Sequence, residues 1–490
     1  MTMATMPNII PALPELFLAG VIMLLLMFGV FQKGGLKDND VAAFNIVSML
    51  SMVSLILAVF LLIPITGPRI TTFADMFVID LFAVFCKSLV LVAAAFGILM
   101  SRDFMERHHI ARFEFPILIL FAALGMMLMI SANDLISLYV GLEMQSLSLY
   151  VMAAIQRDDE RATEAGLKYF VLGAVASGLL LYGASLVYGF AGTTNFDALA
   201  TLFSGGGETS TGVVIGIVFI LAGLSFKVSA VPFHMWTPDV YEGAPSPVTA
   251  FFAVAPKIAA LALFLRVMIG PFGGLIEHWQ QIIVLVSILS MALGAFAAIN
   301  QRNIKRLMAY SSIGHVGYAL VGLAAGTEIG VRGVLIYLSI YLVMNIGTFA
   351  CILCMRRGGR MVEEIDDLAG LGKTHPLLAA TMVVFMFSLA GIPPLAGFFG
   401  KLYVFLAAIE SGLYLLAILG VIASVVGAFY YLRIIKIMYF DEASDALDKP
   451  IGRDLSAIIG VSALIIVLFF AYPGPVIHSA QAAAKALFAG

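Results

Sequence analysis

Four lysines, Lys87, Lys227, Lys257 and Lys401, and one glutamate, Glu143, lie well inside long apolar runs of the sequence. An ionisable group near the centre of a membrane helix costs about 2.5 to 3.5 kcal/mol on insertion scales, so it is expected to face a protein interior or water. Burial weakens a lysine as a base and a nearby carboxylate restores it, so a Glu–Lys pair that opens and closes can load and release a proton near neutral pH. That is the chemistry of a proton relay, and Glu143 with Lys227 is the candidate pair. The competing reading is a static ion pair that holds helices together. For Lys87, with Asp80 two turns away on the same face, a structural or snorkelling role is at least as well supported. The Cys351-x-x-Cys354 spacing has no second pair and no histidine at ligand distance, which favours small core residues over a metal or redox site. His108 and His109 are read as solvating a charged loop.

The elements that carry these residues are membrane helices. The 490-residue chain is 62% hydrophobic and 12% charged, with a mean hydropathy of +1.05, too apolar for a soluble domain. Net charge is −3 with no basic block, so nothing points to nucleic acid. The first apolar run lacks a basic flank and a small-residue cleavage site and is read as a span, not a signal peptide. Fourteen spans are expected, at 11–30, 41–63, 76–100, 113–131, 134–154, 164–190, 212–231, 247–270, 280–299, 304–325, 331–354, 376–399, 403–439 (overlong, its first turns belonging to the helix before) and 455–474. The loop 355–375 is expected to hold a short surface helix. Loops after odd-numbered spans hold most of the 27 Lys and Arg, among them Lys33, Lys37, Arg102, Lys168, Lys305, Arg306, Arg356 and Arg433. Loops after even-numbered spans hold only Arg69 and Arg332. The odd loops therefore face the cytoplasm or matrix and both termini the other side. Arg266 is close enough to a helix end to reach the interface.

Prolines mark two of these spans as broken. Pro232 follows Lys227 by five residues, and Pro393 and Pro394 precede Lys401. Proline frees a backbone carbonyl, and broken helices beside ionisable groups are what ion-coupled transporters place at their sites. Leu221-Ala222-Gly223-x-x-x-Lys227 recurs as Leu395-Ala396-Gly397-x-x-x-Lys401, on spans seven and twelve. An odd offset reverses the direction of crossing, so the expected fold is an all-α polytopic membrane protein with two inverted five-helix repeats, spans four to eight and nine to thirteen. The chain then divides into a three-helix part at 1–112, repeats at 113–270 and 280–440, and a C-terminal helix at 450–490. On this pairing, span five with Glu143 matches span ten with His315 and Tyr318.

VPFHMWTPDVYEGAPSPVTAF (231–251), NIKRLMAYSSIGHVGY (303–318) and SLAGIPPLAGFFGK (388–401) resemble the signature blocks of the antiporter-like, proton-translocating membrane subunits of respiratory complex I and of multisubunit cation/proton antiporters. Within that family, LPELFLAG near the N-terminus, GMMLMISANDLISLYVGLEMQSLSLYVMAA (125–154) and the fourteen-span length most resemble the subunit N branch, called subunit 2 in mitochondria. The lysine at position 401, where a sister branch has glutamate, points the same way.

The resemblance implies roles for the matched positions: Glu143 as the glutamate of span five, Lys227 its partner, Lys257 the central relay and Lys401 the terminal lysine. It implies water-bridging roles for His234 and His315 and an input-side role for Lys168. It also implies a proton-translocating subunit of NADH:quinone oxidoreductase in the bacterial cytoplasmic membrane, packed in lipid against other membrane-arm subunits, including another antiporter-like one. No cofactor or metal is expected on this chain; NADH, FMN, iron–sulfur clusters and quinone belong to partner subunits. Subunits of a sodium/proton antiporter or a membrane-bound hydrogenase carry nearly the same buried residues and stay open as alternatives, as does a purely structural subunit.

Overall fold

The computed structural model describes residues 8–32, 37–65, 67–205 and 209–489, with only the backbone of 37–40; Lys33 and the side chain of Lys37 lie outside the described residues. Apolar side chains on every face and repeated N-caps make helices nearly everywhere. Asp80, Asp134, Asp159 and Asn303 each accept hydrogen bonds from the first-turn amides of the helix that follows. Three helices open the chain: α1 (Leu13–Gln32), α2 (Lys37–Leu62) and α3 (Leu81–Arg107). A small antiparallel hairpin, β1 (Ile70–Thr72) with β2 (Phe77–Ile79), sits between α2 and α3.

The first half of the core follows as α4 (Glu114–Ile130), α5 (Leu135–Ala153), α6 (Glu160–Ala191), the short α7 (Phe196–Ser204), α8 (Thr211–Val228), α9 (Trp236–Gly243) and α10 (Ser246–Ile269). The second half is α11 (Ile276–Ile299), α12 (Ile304–Ala324), α13 (Glu328–Leu353), the four-residue α14 (Leu371–Thr374), α15 (Pro376–Ala390), α16 (Ala396–Glu410) and α17 (Tyr414–Phe440). Then come α18 (Arg453–Leu468) and α19 (Gly474–Phe488). Eleven of the described helices are long and apolar enough to cross a bilayer, and α4 and α15 are shorter apolar helices. The remaining expected positions fall on α16, the second piece of span twelve, and α18.

Several boundaries differ from the sequence reading. Span seven ends at Val228, three residues early, because Pro232 has no amide to continue the ladder. As expected, the overlong run 403–439 gives its first turns to span twelve, dividing at Gly412. The loop 191–211 contains α7, and 355–375 forms the two-residue strands Arg356–Arg357 and Arg360–Met361, a 3-10 turn at Ile365–Leu368 and α14. The amphipathic α19 had no counterpart among the expected spans.

Loop contacts sort the helix ends into two faces. Asp103, after span three, pairs with Arg356, after span eleven, at 2.9 Å, and Glu363 receives Lys305 and Asn303 from after span nine. On the other face Asp197, after span six, pairs with Arg69, after span two, and accepts from Asn133, after span four. Odd loops meet odd loops and even loops meet even loops. Inside the bundle α10 is buried along its whole length, and α12 and α13 nearly so. The helices that carry Lys257 and His315 are therefore its central ones.

Candidate functional site

The first break builds one half of the site. After Val228 the backbone turns into the left-handed region at Ser229 (φ 65°), and the chain stays irregular until Trp236. The last carbonyls of α8 are thus without helical partners and carry the negative end of the helix dipole. Lys257, from the middle of α10, donates to the Val228 carbonyl at 2.9 Å and to the Ser229 hydroxyl, and its ammonium lies 5.5 Å from the centre of the Trp236 ring. Lys227, the penultimate residue of α8, donates to Ser146 Oγ on α5 (2.8 Å) and Ser177 Oγ on α6 (3.2 Å). Glu143 stands behind Ser177: the hydroxyl donates to the carboxylate, whose nearest oxygen is 3.9 Å from the Lys227 ammonium. The expected Glu143–Lys227 pair is present, and a serine lies between its charges.

The second break builds the other half. α15 ends at Ala390 because Gly391 turns left-handed (φ 86°), and the chain re-enters a helix at Ala396. Lys401 reaches back from α16 to donate to the Ala390 carbonyl (2.9 Å) and to Ser424 Oγ on α17 (2.8 Å), with the Tyr318 ring 4.7 Å away. Lys257 and Lys401 therefore have the same kind of seat: a carbonyl freed by a break, one serine hydroxyl and one aromatic face. Buried His315 bonds Tyr337 through Nδ1 (2.5 Å) and Tyr431 through Nε2 (3.1 Å), and Tyr431 bonds Ser311. A cavity of about 10 Å³, roughly the room one water needs, joins His315, Ser311 and Tyr431 to Lys401 and Ser424.

The family model for NADH:quinone oxidoreductase/Mrp antiporter transmembrane proteins matches residues 132–427, which hold both breaks. An NADH-quinone oxidoreductase subunit N from Paramagnetospirillum magneticum is 61% identical over 98% of this chain and 98% of its own length. This chain belongs to the subunit N family. A chain in the structure of respiratory complex I from Thermus thermophilus with bound Aureothin is 31% identical, with a TM-score of 0.81 over 95% of this chain and 98% of that one. A chain of the Mrp complex from Dietzia sp. has a TM-score of 0.83 over 98% of both chains but is 21% identical, and so shares the fold alone.

In this member of the subunit N family not every expected contact forms. His234 sits in the first break with its Nδ1 buried and, among the described residues, no direct hydrogen bond to Lys227 or Lys257. Lys87 does not pair with Asp80. It forms a buried ion pair with Glu15, the glutamate of LPELFLAG, under the Phe77 ring. Asp80 instead takes Arg266 in two hydrogen bonds of 2.9 and 2.8 Å, so Arg266 is buried in an ion pair and does not reach outward. The two Leu-Ala-Gly-x-x-x-Lys copies lie on opposite sides of their breaks, Lys227 before one and Lys401 after the other. The parts with the same shape are helix, break and helix.

Lys168 lies at the surface of the odd-loop face, between Glu164 (2.7 Å) and Asp239 (2.8 Å). Arg306 closes the same cluster on Asp239 and Glu242, each at 2.8 Å. Partial burial pushes the Asp239 carboxyl up, but hydrogen bonds from Lys168 and Arg306 outweigh it and hold the carboxyl below its ordinary value. Lys305, read from sequence as a loop residue, is buried on Glu363 and the Ala244 carbonyl. The sequence signal missed there is that Lys305 follows its N-cap, Asn303, by only two residues, placing it at the mouth of the central helix α12. Cys351 and Cys354 are buried free thiols.

Proposed function

We propose that this chain conducts protons as subunit N of the membrane arm of NADH:quinone oxidoreductase. The observation that carries the reading is the seating of Lys227, Lys257 and Lys401. Each is buried and each is held mainly by neutral oxygens, and one carboxylate, Glu143, stands near Lys227 with a hydroxyl between them. An ammonium held by hydroxyls and carbonyls gives up its proton without stranding a bare buried carboxylate. A proton enters from the odd-loop face past the Lys168–Asp239 cluster and reaches Lys227. It passes to Lys257 through the end of α8, moves by way of His315 and its tyrosines to Lys401, and leaves on the opposite side as Glu143 closes on Lys227.

We read that face as cytoplasmic and both termini as periplasmic in a bacterial inner membrane, a reading supported by the basic residues of the odd loops. The Glu143 side chain is 24% exposed and shares its helix with outward-facing Val140, Leu147 and Val151, so it faces a neighbouring membrane-arm subunit, which we take to be another antiporter-like one. The flavin, iron–sulfur and quinone chemistry is assigned to partner subunits. Replacement of Lys227 by Ala in the assembled enzyme tests the reading through the number of protons moved per NADH oxidised in sealed vesicles. A severe fall is expected, and the parental ratio would sink it.

A further inference from the structure

Ser229 occupies a backbone conformation that disfavours it. Its φ of 65° lies in the left-handed region that glycine adopts freely and other L-residues enter at a cost. Its amide donates to the Phe226 carbonyl, which closes α8 with no help from the side chain. A glycine would make the same turn with less strain, so the turn alone does not explain the serine, and an observed outlier of this kind calls for a functional account. The side chain is fully buried and its oxygen accepts twice, from Lys257 Nζ and from Thr237 Oγ1 at 2.6 Å.

A hydroxyl offers two acceptor positions and one donor. With both acceptor positions filled by Lys257 and Thr237, the O–H remains. When Lys257 is an ammonium it donates to Ser229; when it is a neutral amine its lone pair accepts from the same hydroxyl. The Val228 carbonyl, by contrast, accepts only. We propose that Ser229 is a positioning residue that keeps Lys257 seated on the end of α8 in both of its protonation states, so that a proton reaches and leaves Lys257 without the side chain swinging away. The proposal rests on the relay reading given above. Thr237, also buried, fixes the rotation of the hydroxyl from α9.

Ser229→Gly isolates the hydroxyl, since it removes the oxygen and relaxes the backbone; Ser229→Ala removes the oxygen and keeps the backbone cost. Both are made in the full enzyme, with Lys257→Ala alongside, and protons moved per NADH oxidised are measured per assembled complex. The expected result is that both serine variants assemble and that proton movement per assembled enzyme falls about ten-fold or more, as misplacing a reacting group by about 1 Å can do. A structural role moves the amount of assembled enzyme and leaves the ratio unchanged. Parental stoichiometry in Ser229→Gly, whether or not Ser229→Ala is impaired, overturns the proposal. If Lys257→Ala itself pumps normally, it is the relay reading that has failed. Should Ser229→Gly not assemble, the near-isosteric Thr237→Val carries the test: a several-fold fall is expected, and a parental ratio overturns the proposal.

Discussion

Gly391 allows the seat of Lys401 to be perturbed without touching a charge. Its φ is +86°, and a Cβ built there would lie 2.9 Å from Lys401 Cδ and 3.2 Å from Nζ. Gly391→Ala therefore has two costs: about 1–2 kcal/mol for a left-handed alanine, and a collision that only the lysine can relieve. A shift of a few tenths of an ångström carries the ammonium out of its 2.9 and 2.8 Å bonds to Ala390 and Ser424. A hydrogen bond to a charged group is worth about 1.5–3 kcal/mol, so losing one lowers the occupancy of the seat by about ten-fold or more. Gly412 supplies the control, because its φ is +75° and nothing lies within 4 Å of its Cβ position. Gly412→Ala has the same backbone cost and leaves Lys401 alone. In sealed vesicles, Gly391→Ala is expected to lower protons moved per NADH while Gly412→Ala keeps the parental ratio, with similar assembly of the two. Equal ratios in both variants would refute the claim that the seat matters.

The two surface and staple ion pairs give contrasting expectations. Removing one partner of a buried pair costs about 3–5 kcal/mol, whereas replacing both by apolar residues is often neutral; Lys87→Met should therefore deplete the assembled complex, and Glu15→Leu/Lys87→Met should restore it, as read by its abundance and thermal denaturation. A double variant as poor as the single would instead show that the charges themselves are needed. Lys168 is 42% exposed at its side chain, with Asp239 at 35%, and exposed pairs contribute about 0–1 kcal/mol, so Lys168→Ala should reduce proton movement less than about five-fold. Because Asp239 ionises below its ordinary 3.8, the stability it lends is present above that value and lost only as pH falls through the lowered one. The ratio of variant to parent should then be flat between about pH 5 and 8; a loss as deep as that of Lys227→Ala would place Lys168 in the path.

The sequence made the depth of the lysines legible because apolar runs fix where the bilayer lies, and a lysine ten residues into a run has few places to go. Prolines 232, 393 and 394 located the breaks, and the asymmetry of Lys and Arg separated the two faces. What stayed hidden was pairing at a distance. The partner of Lys87 is 72 positions away in Glu15, whereas Asp80, seven residues away, was the local candidate and turned out to be taken by Arg266. Serines 146, 177, 229 and 424 gave no signal either, since serine is ordinary in membrane helices and only the crossing of α5, α6, α8, α10 and α17 shows which ones meet an ammonium. The Leu-Ala-Gly repeat misled in register because small residues recur wherever helices pack closely, on either side of a break.

The buried charges fall into two kinds, and the difference bears on mechanism. Lys87 with Glu15, and Arg266 with Asp80, touch their counterions directly; two unit charges about 4 Å apart attract by about 4 kcal/mol at an effective dielectric constant of 20, and closer contact binds more tightly. A proton held so firmly does not move on, which suits a fixed brace between the first three helices and α10. Lys257 and Lys401 have carbonyls, hydroxyls and ring faces in place of a carboxylate, and these favour the ammonium without committing it. Lys227 stands between the two kinds. Ser177 keeps Glu143 at 3.9 Å, near enough to pull on the charge and one small displacement short of direct contact. A pair poised in this way responds to the charge of whatever lies beyond Glu143, and the partial exposure of that carboxylate on the flank of α5 is where such a signal would arrive.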